Sequence, residues 1–320
     1  MKILSPVDNM AEVDALLDAG AEELYGGYVS DRWLRRYSMM GSINQRYFAS
    51  AQIVSEFELS RIIKTVHRRK ARFYLTLNAP YYLSAQYDDL IDEARRVAGL
   101  GVDAFIVTDL GLIIRLKNEL PGTQVHLSTL GAVFNSRSAG FFSKLGISRM
   151  VLPRELTIKE MSGIIKANPG VEFDAFIMIG KCPNIEGFCS FTHNSKDLVW
   201  PCEEPYGIEV IKGGSPSEDV VNAQMGWSRV NRRQACGLCA MARLREAGVT
   251  AVKLVGRGGP THVKVKVTSA VRSMVELSRT GAGDEELHRS AMSLYRDVFG
   301  KDCNPYICYF PEVWRKSAGV

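Results

Sequence analysis

Residues 101–128 read GVDAFIVTDLGLIIRLKNELPGTQVHLS, and this stretch contains a strand, a helix and a second strand in succession. Ala104–Thr108 is a short apolar run typical of a buried strand, Leu110–Leu120 has the apolar spacing of an amphipathic helix, and Gln124–Ser128 is strand-like again. Two parallel strands joined by a helix form one βα unit of an α/β sheet. This stretch therefore predicts a parallel sheet with helical crossovers.

The same alternation extends over most of the chain. Further strands are predicted at Lys2–Ser5, Glu23–Tyr25, Arg72–Asn78, Arg149–Leu152, Glu172–Met178 and Ala251–Leu254. Further helices are predicted over residues 9–19, 55–69, 87–99, 137–145, 157–167, 237–247 and 263–278, with a final helix at 285–299. Seven or eight βα units predict a (β/α)8, TIM-barrel-like α/β fold. No Gly-x-Gly-x-x-Gly follows the first strand, which disfavours a dinucleotide-binding domain.

The alternation stops in a segment rich in Cys, Pro, Gly, Asn and Trp. We expect a barrel domain over residues 1–280 that includes this Cys-rich loop, residues 180–236, as an insertion after the seventh strand. A C-terminal helix and tail, residues 281–320, are expected to pack on the barrel. Catalytic loops of such barrels follow the carboxyl ends of the strands. The insertion is therefore expected to lie at the active-site end of the barrel.

The overall composition is that of a globular protein, with 46% hydrophobic and 23% charged residues in 320. No apolar stretch reaches the length of a membrane span, and the first residues lack the pattern of a signal peptide. We therefore expect a cytoplasmic protein with no membrane partner. The net charge of +5 is compatible with an anionic small molecule or RNA as a partner. A homo-oligomer and a hetero-oligomer both remain open.

Seven cysteines are present, and five of them lie between Cys182 and Cys239. In a reducing compartment, clustered cysteines indicate metal or redox chemistry rather than disulfides. Irregular backbone between thiolates is typical of iron–sulfur sites, and a helix start such as that at Cys236 stabilises a thiolate. Four thiolates also make a tetrahedral zinc site, so zinc is the alternative metal.

A second cysteine pair, Cys303-x4-Cys308, lies near the C-terminus. One of these thiols could reach the metal. The favoured interpretation is a turn that Tyr306, Tyr309 and Phe310 pack onto the barrel, with both cysteines as small apolar side chains.

Several short motifs resemble the collagenase-like peptidase family U32. The resemblance covers Leu4-Ser5-Pro6 and Tyr25-Gly26-Gly27 near the start, the central segments His126–Thr129 and Val151–Leu156, and the closing segment Ala247–Arg257. The family includes proteins of oxygen-independent ubiquinone, tRNA and 23S rRNA hydroxylation. The resemblance therefore implies hydroxylation without molecular oxygen, with a prephenate-like anion as hydroxyl donor in some members.

The cysteine spacing also resembles that family. The pair separated by six residues, a third cysteine and another that opens a later helix correspond to Cys182, Cys189, Cys202 and Cys236. The resemblance implies that these four hold a [4Fe-4S] cluster. Cys239, one helical turn from Cys236, is the alternative ligand.

Polar residues at the predicted strand ends form the candidate substrate site, because parallel strand ends converge at one mouth of a barrel. The candidate catalytic residues are His126, Arg154, Glu155, Lys253 and Arg257, and the candidate substrate-binding residues are Asn78, Tyr82, Ser128 and Thr129. Two structural interpretations compete with these roles. His126 is equally consistent with a buried strand histidine, and Arg154 with Glu155 is consistent with a structural ion pair.

The expected function is an iron–sulfur-dependent, oxygen-independent hydroxylase or related modifying enzyme that acts on a small molecule or an RNA base. Basic stretches at Arg32–Arg36, His67–Arg72 and Arg229–Arg233 are candidate contacts for RNA phosphates, although solvated helix faces and loops are the more common explanation. A cluster-bearing subunit of a heterodimer is one alternative. A peptidase is another, but no Ser-His-Asp set or His-Glu-x-x-His motif is evident.

Overall fold

A computed structural model describes residues 1–37, 42–46, 49–182, 185–188 and 234–313. Eight parallel strands form a closed barrel in which each strand pairs with the next and the last pairs with the first. The strands are β1 Lys2–Pro6, β2 Glu23–Gly26, β3 Arg72–Leu77, β4 Ala104–Val107, β5 Val125–Leu127, β6 Arg149–Val151, β7 Glu172–Met178 and β8 Ala251–Leu254. This architecture confirms the predicted (β/α)8 fold.

Helices surround the barrel and bury one face against it. They are α1 Val13–Asp18, α2 Asp31–Tyr37, α3 Glu56–Arg68, α4 Tyr87–Ala98, α5 Leu110–Glu119, α6 Ser136–Lys144, α7 Ile158–Ala167, α8 Met241–Ala247, α9 Thr261–Leu277 and α10 Asp284–Phe299. Their starts are fixed by side-chain caps: Ser55 accepts the Glu58 N–H, Asp109 accepts the Leu112 N–H, and Thr157 forms a capping box with Glu160. Predicted and observed bounds mostly differ by one or two residues.

Helix α2 was missed by the sequence analysis, which treated Arg32–Arg36 as a basic stretch. The helix forms because the Trp33 side chain is fully buried and the Trp33 N–H is accepted by the Ser30 hydroxyl. Arg32 and Arg36 both pair with Asp89 of α4. The candidate RNA contacts of this stretch are therefore partly neutralised by that carboxylate.

The other two basic stretches give different outcomes. Arg69, in the second stretch, pairs with Asp14 and Asp18 of α1. The third stretch, Arg229–Arg233, lies outside the described residues.

An ionic network fills the amino-terminal end of the barrel interior. The Arg149 guanidinium, 1% exposed, donates to Asp174 Oδ1 at 2.7 Å and to Glu23 Oε2 at 2.6 Å. The Tyr74 hydroxyl donates to Glu23 at 2.9 Å. Burial raises the pKa of Glu23, but the hydrogen bond and charge of Arg149 outweigh it and bring the pKa to about 2. Glu23 is therefore ionised in the folded barrel.

The C-terminal helix α10 packs on α9, and the turn that follows it pairs with the chain at Cys236. The Cys236 N–H donates to the Ile307 carbonyl at 3.1 Å, and the Cys236 carbonyl accepts the Tyr309 N–H at 2.9 Å. None of the helices among the described residues is long and apolar enough to cross a membrane.

Candidate active site at the barrel mouth

The mouth of the barrel, where the strands have their carboxyl ends, is crossed by residues 42–46, here called the mouth segment. Arg46 anchors it with a side chain that is 0% exposed. Its Nη1 lies 2.7 Å from Asp8 Oδ1, which follows β1, and its Nη2 donates to the Tyr25 carbonyl at 3.0 Å. A buried guanidinium is stable only when paired in this way, so the mouth segment is held firmly.

Four of the predicted site residues meet at the mouth segment. Arg257 Nη1 donates to the Gln45 carbonyl at 2.6 Å, and the Gln45 N–H donates to Asn78 Oδ1 at 3.2 Å. Asn78 Nδ2 lies 3.3 Å from the Ser128 hydroxyl. The Tyr82 hydroxyl donates to the Ile43 carbonyl at 2.8 Å. The ends of β3, β5 and β8 are thus connected, as predicted for converging strand ends. Within the described part of the chain, no carboxylate is paired with Arg257.

A second network, which the sequence analysis missed, fixes the turn that carries Arg257. Lys264 Nζ lies 2.7 Å from Asp8 Oδ2 and 2.5 Å from Glu12 Oε1. The Gly258 N–H donates to the same Asp8 oxygen at 2.6 Å. No local motif marks these residues, because Asp8 and Lys264 are brought together only when β8 closes the barrel on β1.

Arg154 is joined to the Cys-rich insertion rather than to its neighbour Glu155. The Arg154 N–H donates to Glu186 Oε2 at 3.0 Å, and its guanidinium binds the other oxygen of Glu186. The Thr129 hydroxyl lies 2.9 Å from the same carboxylate. The interpretation of Arg154 and Glu155 as a structural ion pair is therefore wrong. Arg154 does form an ion pair, but its partner is Glu186, which lies 32 positions away in the sequence.

Glu155 has a different role at this junction. Its Oε1 accepts the Glu186 N–H at 3.3 Å. Burial and the charge of Glu186 raise the pKa of Glu155. Glu155 thus helps to fix the insertion and is a weaker acid than an ordinary glutamate.

His126 and Lys253 lie below the mouth, inside the barrel. The His126 ring packs edge-on at 4.7 Å from the Tyr74 ring, and burial lowers its pKa to about 3, so it is neutral. Lys253 Nζ lies 4.1 Å from the Tyr25 ring centroid, and burial lowers its pKa to about 7. An amine with such a pKa can both accept and donate a proton near neutral pH.

The Tyr25 hydroxyl is buried beside the end of β8. It donates to the Leu254 carbonyl at 2.7 Å. Burial raises its pKa, the positive charges of Arg257, Arg46 and Arg154 act in the opposite direction, and the charge of Asp8 raises the pKa further. Of the arginines that influence Tyr25, Arg257 has no carboxylate partner among the described residues, so it is the one available to a bound anion.

The Cys-rich insertion leaves and rejoins the barrel at the end of β7. The Ile179 N–H donates to the Ala235 carbonyl at 2.9 Å, and Met178 faces Cys236 in an antiparallel bridge. Cys182 follows four residues after Met178. Two predicted cluster ligands are thus placed at one strand end, which suits ligands that converge on a cluster. The other two, Cys189 and Cys202, lie outside the described residues.

The Cys236 thiol lies close to Cys239 and to the C-terminal pair Cys303 and Cys308, for which apolar packing was the favoured prediction. Cys236, Cys239, Cys303 and Cys308 line one small cavity, together with Phe310. All four are free thiols, and burial raises the pKa of Cys239 and of Cys308 to about 12. Cys239 Sγ is 3.5 Å from His288 Nδ1, but a thiol with such a pKa is a poor nucleophile.

The described part of the chain contains no three His, Cys, Asp or Glu side chains that could hold a metal ion as they stand. For the predicted cluster, the donor chemistry of Cys182 and Cys236 fits, since both are reduced and both lie at the end of β7. Cys236, however, also belongs to the second thiol set just described.

The chain resembles known proteins over most of its length. The profile of peptidase family U32 matches residues 8–313. A tRNA hydroxylation protein P of Helicobacter pylori strain J99 is 29% identical over 202 residues, which is 62% of this chain and 44% of that protein. The 23S rRNA 5-hydroxycytidine C2501 synthase of Escherichia coli is 27% identical over 239 residues, 71% of this chain and 34% of the synthase.

Two further proteins resemble the chain over most of its length. The tRNA hydroxylation protein P1 of Bacillus subtilis is 22% identical over 290 residues, 86% of this chain and 63% of that protein. A solved U32 peptidase superposes with a TM-score of 0.49 and 12% identity, over 81% of this chain and 94% of that one. The chain spans less than half the length of the Helicobacter and Escherichia relatives named above.

Proposed function

Because this chain belongs to peptidase family U32, we propose that it is an enzyme that hydroxylates RNA without using molecular oxygen. The proposal is supported by relatives whose names describe tRNA hydroxylation and 23S rRNA 5-hydroxycytidine synthesis. The proposed place of action is the cytoplasm, where those classes of RNA are found. A small molecule is the competing substrate class, and the test below separates the two.

One observation carries the proposal to this chain's own residues: the Glu186 carboxylate joins the Cys-rich insertion to Arg154 and Thr129 at the barrel mouth. Through this contact, the insertion and the strand ends form one site. In our proposal, Arg257 binds an anionic group, either a prephenate-like carboxylate donor or an RNA phosphate, and Arg154 holds the insertion at the mouth through Glu186. Arg257 is the main contact, since it has no carboxylate partner among the described residues.

Lys253 is proposed to move a proton at its Nζ. It is buried, its pKa is lowered to about 7 by burial, and its Nζ lies against the Tyr25 ring. Neutral His126 is proposed to shape the floor of the site rather than to titrate, because its pKa is far below neutral pH. Asn78, Ser128 and Tyr82 hold the mouth segment, and so they position the lid-like backbone above the substrate.

We further propose a [4Fe-4S] cluster on the insertion, held by Cys182, Cys189 and Cys202, with Cys236 as the fourth ligand that the family resemblance implies. When bound, such a cluster supplies electron-transfer or Lewis-acid chemistry. Cys182 supports this placement, since it lies just past the end of β7 beside the mouth. Anaerobically purified protein should be brown and contain iron and sulfide. A colourless, iron-free protein after anaerobic reconstitution would contradict the cluster.

The function is tested by deleting the gene and digesting total tRNA and rRNA to nucleosides for mass spectrometry. We expect one hydroxylated nucleoside to disappear and to return with the wild-type gene but not with Arg257→Ala. An RNA nucleoside profile that is unchanged by the deletion would exclude RNA as the substrate. Loss of a hydroxylated small metabolite in the same cells would then identify the competing class.

A further inference from the structure

Helix α3 presents to solvent a face that the proposed site does not use. Four exposed residues, spaced four, three and four positions apart, lie on this face, and they are Phe57, Arg61, Lys64 and Arg68. The opposite face is buried against the barrel through Leu59, Ile62, Ile63 and Val66. We call the four exposed residues the basic stripe. The helix is thus held by its apolar side, and the stripe is not needed for packing.

The three cations of the basic stripe pair with no carboxylate among the described residues. The two carboxylates of the same helix are occupied elsewhere. Glu56 binds Arg96 of α4. Glu58 accepts the backbone N–H groups of Met10 and Val54. The positive charge of the stripe therefore remains available to an anionic molecule.

Phe57 gives the basic stripe an aromatic end. Its side chain is 73% exposed, and the Arg61 guanidinium lies 5.9 Å from the centroid of its ring. An exposed ring beside a cation suits a single-stranded nucleic acid, because the ring stacks on an unpaired base and the cation binds a neighbouring phosphate. An acidic peptide offers negative charge but no base to stack. The combination favours RNA over a protein partner.

The aromatic end of the stripe lies at the rim of the barrel mouth. The Ile53 N–H donates to the Gly27 carbonyl, just past the end of β2, at 2.8 Å. Arg46, which anchors the mouth segment, donates to the Ala51 carbonyl at 2.9 Å. From this rim, helix α3 runs back toward the start of β3, and the stripe covers about 17 Å of its length. A strand that lies on the stripe can therefore continue into the mouth.

We propose that the basic stripe is a docking surface for the sugar–phosphate backbone of the substrate RNA, with Phe57 stacking on a base where the strand turns into the mouth. Over about 17 Å, one nucleic-acid strand carries about five phosphates, so each of the three cations can meet a different phosphate. The inference rests on the proposed function, since it takes RNA as the substrate. It adds a contact surface outside the mouth, where Arg257 lies.

The experiment measures the binding of RNA to the full-length protein. The probes are total tRNA and fragmented rRNA, both from cells in which the gene has been deleted. The stripe variant combines three changes, Arg61→Gln, Lys64→Gln and Arg68→Gln. We expect its Kd for RNA to rise about tenfold to a hundredfold at physiological salt, because three phosphate contacts are lost. The slope of log Kd against log salt concentration should fall by about 2–3 for the same reason.

A matched control separates the basic stripe from the net charge of the protein. The control variant removes three cations from exposed positions of α6 and α7 through Lys144→Gln, Lys159→Gln and Lys166→Gln. It has the same net charge as the stripe variant. Its Kd for RNA and its salt slope should stay close to the wild-type values.

The aromatic contact is tested by two substitutions of Phe57. Phe57→Leu keeps an apolar side chain but removes the ring, and it should raise the Kd for RNA about fivefold to a hundredfold, as the loss of one stacked base does. Phe57→Tyr keeps the ring and should bind RNA as the wild type does. Polyglutamate, which has charge but no bases, should bind more weakly than RNA and equally to the wild type and Phe57→Leu.

Three results would overturn the docking surface: no binding of RNA by the wild type, equal binding by the stripe and control variants, or polyglutamate binding as tight as that of RNA and equally lost in the stripe variant. The last result would assign the stripe to an acidic protein. Failure of the proposed function is distinguishable, because the RNA nucleosides would then be unchanged by deletion of the gene. If the docking surface alone fails, a hydroxylated nucleoside still depends on the gene, and the stripe variant restores it as fast as the wild type.

Discussion

Glu186 binds Arg154 twice, through the Arg154 backbone N–H at 3.0 Å and through its guanidinium. This ion pair connects the Cys-rich insertion to Arg154, which lies three positions after the last residue of β6. Because Thr129 after β5 joins the same carboxylate, the insertion is attached to two strand ends of the mouth. Any movement of Glu186 is therefore coupled to the candidate substrate site.

Replacing Glu186 should disturb both partners. Glu186→Ala leaves the Arg154 guanidinium buried without a carboxylate, which costs about 3–5 kcal/mol when the partner of a buried ion pair is removed. Arg154→Met combined with Glu186→Ala should cost less than the sum of the two single changes, because no charge is then left unpaired. Urea unfolding of the wild type, the two single variants and the double variant measures the coupling energy between Arg154 and Glu186. If the two single losses of unfolding free energy add up to the loss of the double variant, the two side chains are not coupled.

Arg257 should be required for turnover. Arg257→Ala removes a guanidinium that has no carboxylate partner among the described residues. A charge-assisted hydrogen bond to substrate contributes about 1.5–3 kcal/mol. Turnover should therefore fall about tenfold to a hundredfold. Iron content should not change. Arg272→Ala on α9, whose partner is the exposed Glu276, is the control and should keep full activity. Full activity of Arg257→Ala would exclude Arg257 from the site.

The amino-terminal end of the barrel should be a stability determinant. Glu23→Ala leaves Arg149 with one fewer carboxylate in the barrel interior and should destabilise the protein by about 3–5 kcal/mol. Lys2 pairs with the same Glu23 carboxylate, but the Lys2 side chain is 38% exposed. Lys2→Ala should therefore lower the free energy of unfolding by less than about 1 kcal/mol. Urea unfolding measures both losses of unfolding free energy. Equal losses for Glu23→Ala and Lys2→Ala would show that burial of the ion pair between Glu23 and Arg149 does not determine the loss.

Lys253 should make stability depend on pH above neutrality. Burial lowers its pKa from 10.5 to about 7, so between these values the unfolded chain binds a proton that the folded protein does not. The contribution of this group to the free energy of unfolding therefore rises with pH, by about 1 kcal/mol per pH unit. Lys253→Met should remove this part of the slope between pH 7 and 9. The exposed Lys64→Met should not. An identical slope in wild type and Lys253→Met would contradict the lowered pKa.

The sequence predicted the strands well because each carries its own apolar pattern, as in Ala104–Thr108. It also placed Asn78, Ser128 and Arg257 at one mouth, since parallel strand ends must converge. Helix α2 was missed because its one fully buried side chain, Trp33, is surrounded in sequence by charges that pair elsewhere in the fold.

Other features depend on contacts that no local pattern encodes. The mouth segment is held through Arg46 by Asp8 and the Tyr25 carbonyl, which lie on other elements. The grouping of Cys308 with Cys236 depends on a backbone bridge formed only in the closed barrel. These are relationships of tertiary structure, and the sequence shows only the residues that take part.

The most direct test of the central claim follows the oxygen atom of the RNA hydroxyl group. Cells that depend on this protein for the hydroxylated nucleoside are grown with isotopically labelled molecular oxygen, and the nucleoside is analysed by mass spectrometry. Our account predicts a nucleoside with unlabelled hydroxyl oxygen, and the same nucleoside in cells grown without any oxygen. A labelled hydroxyl group, or loss of the nucleoside in anoxic cells that still contain the protein, would contradict it.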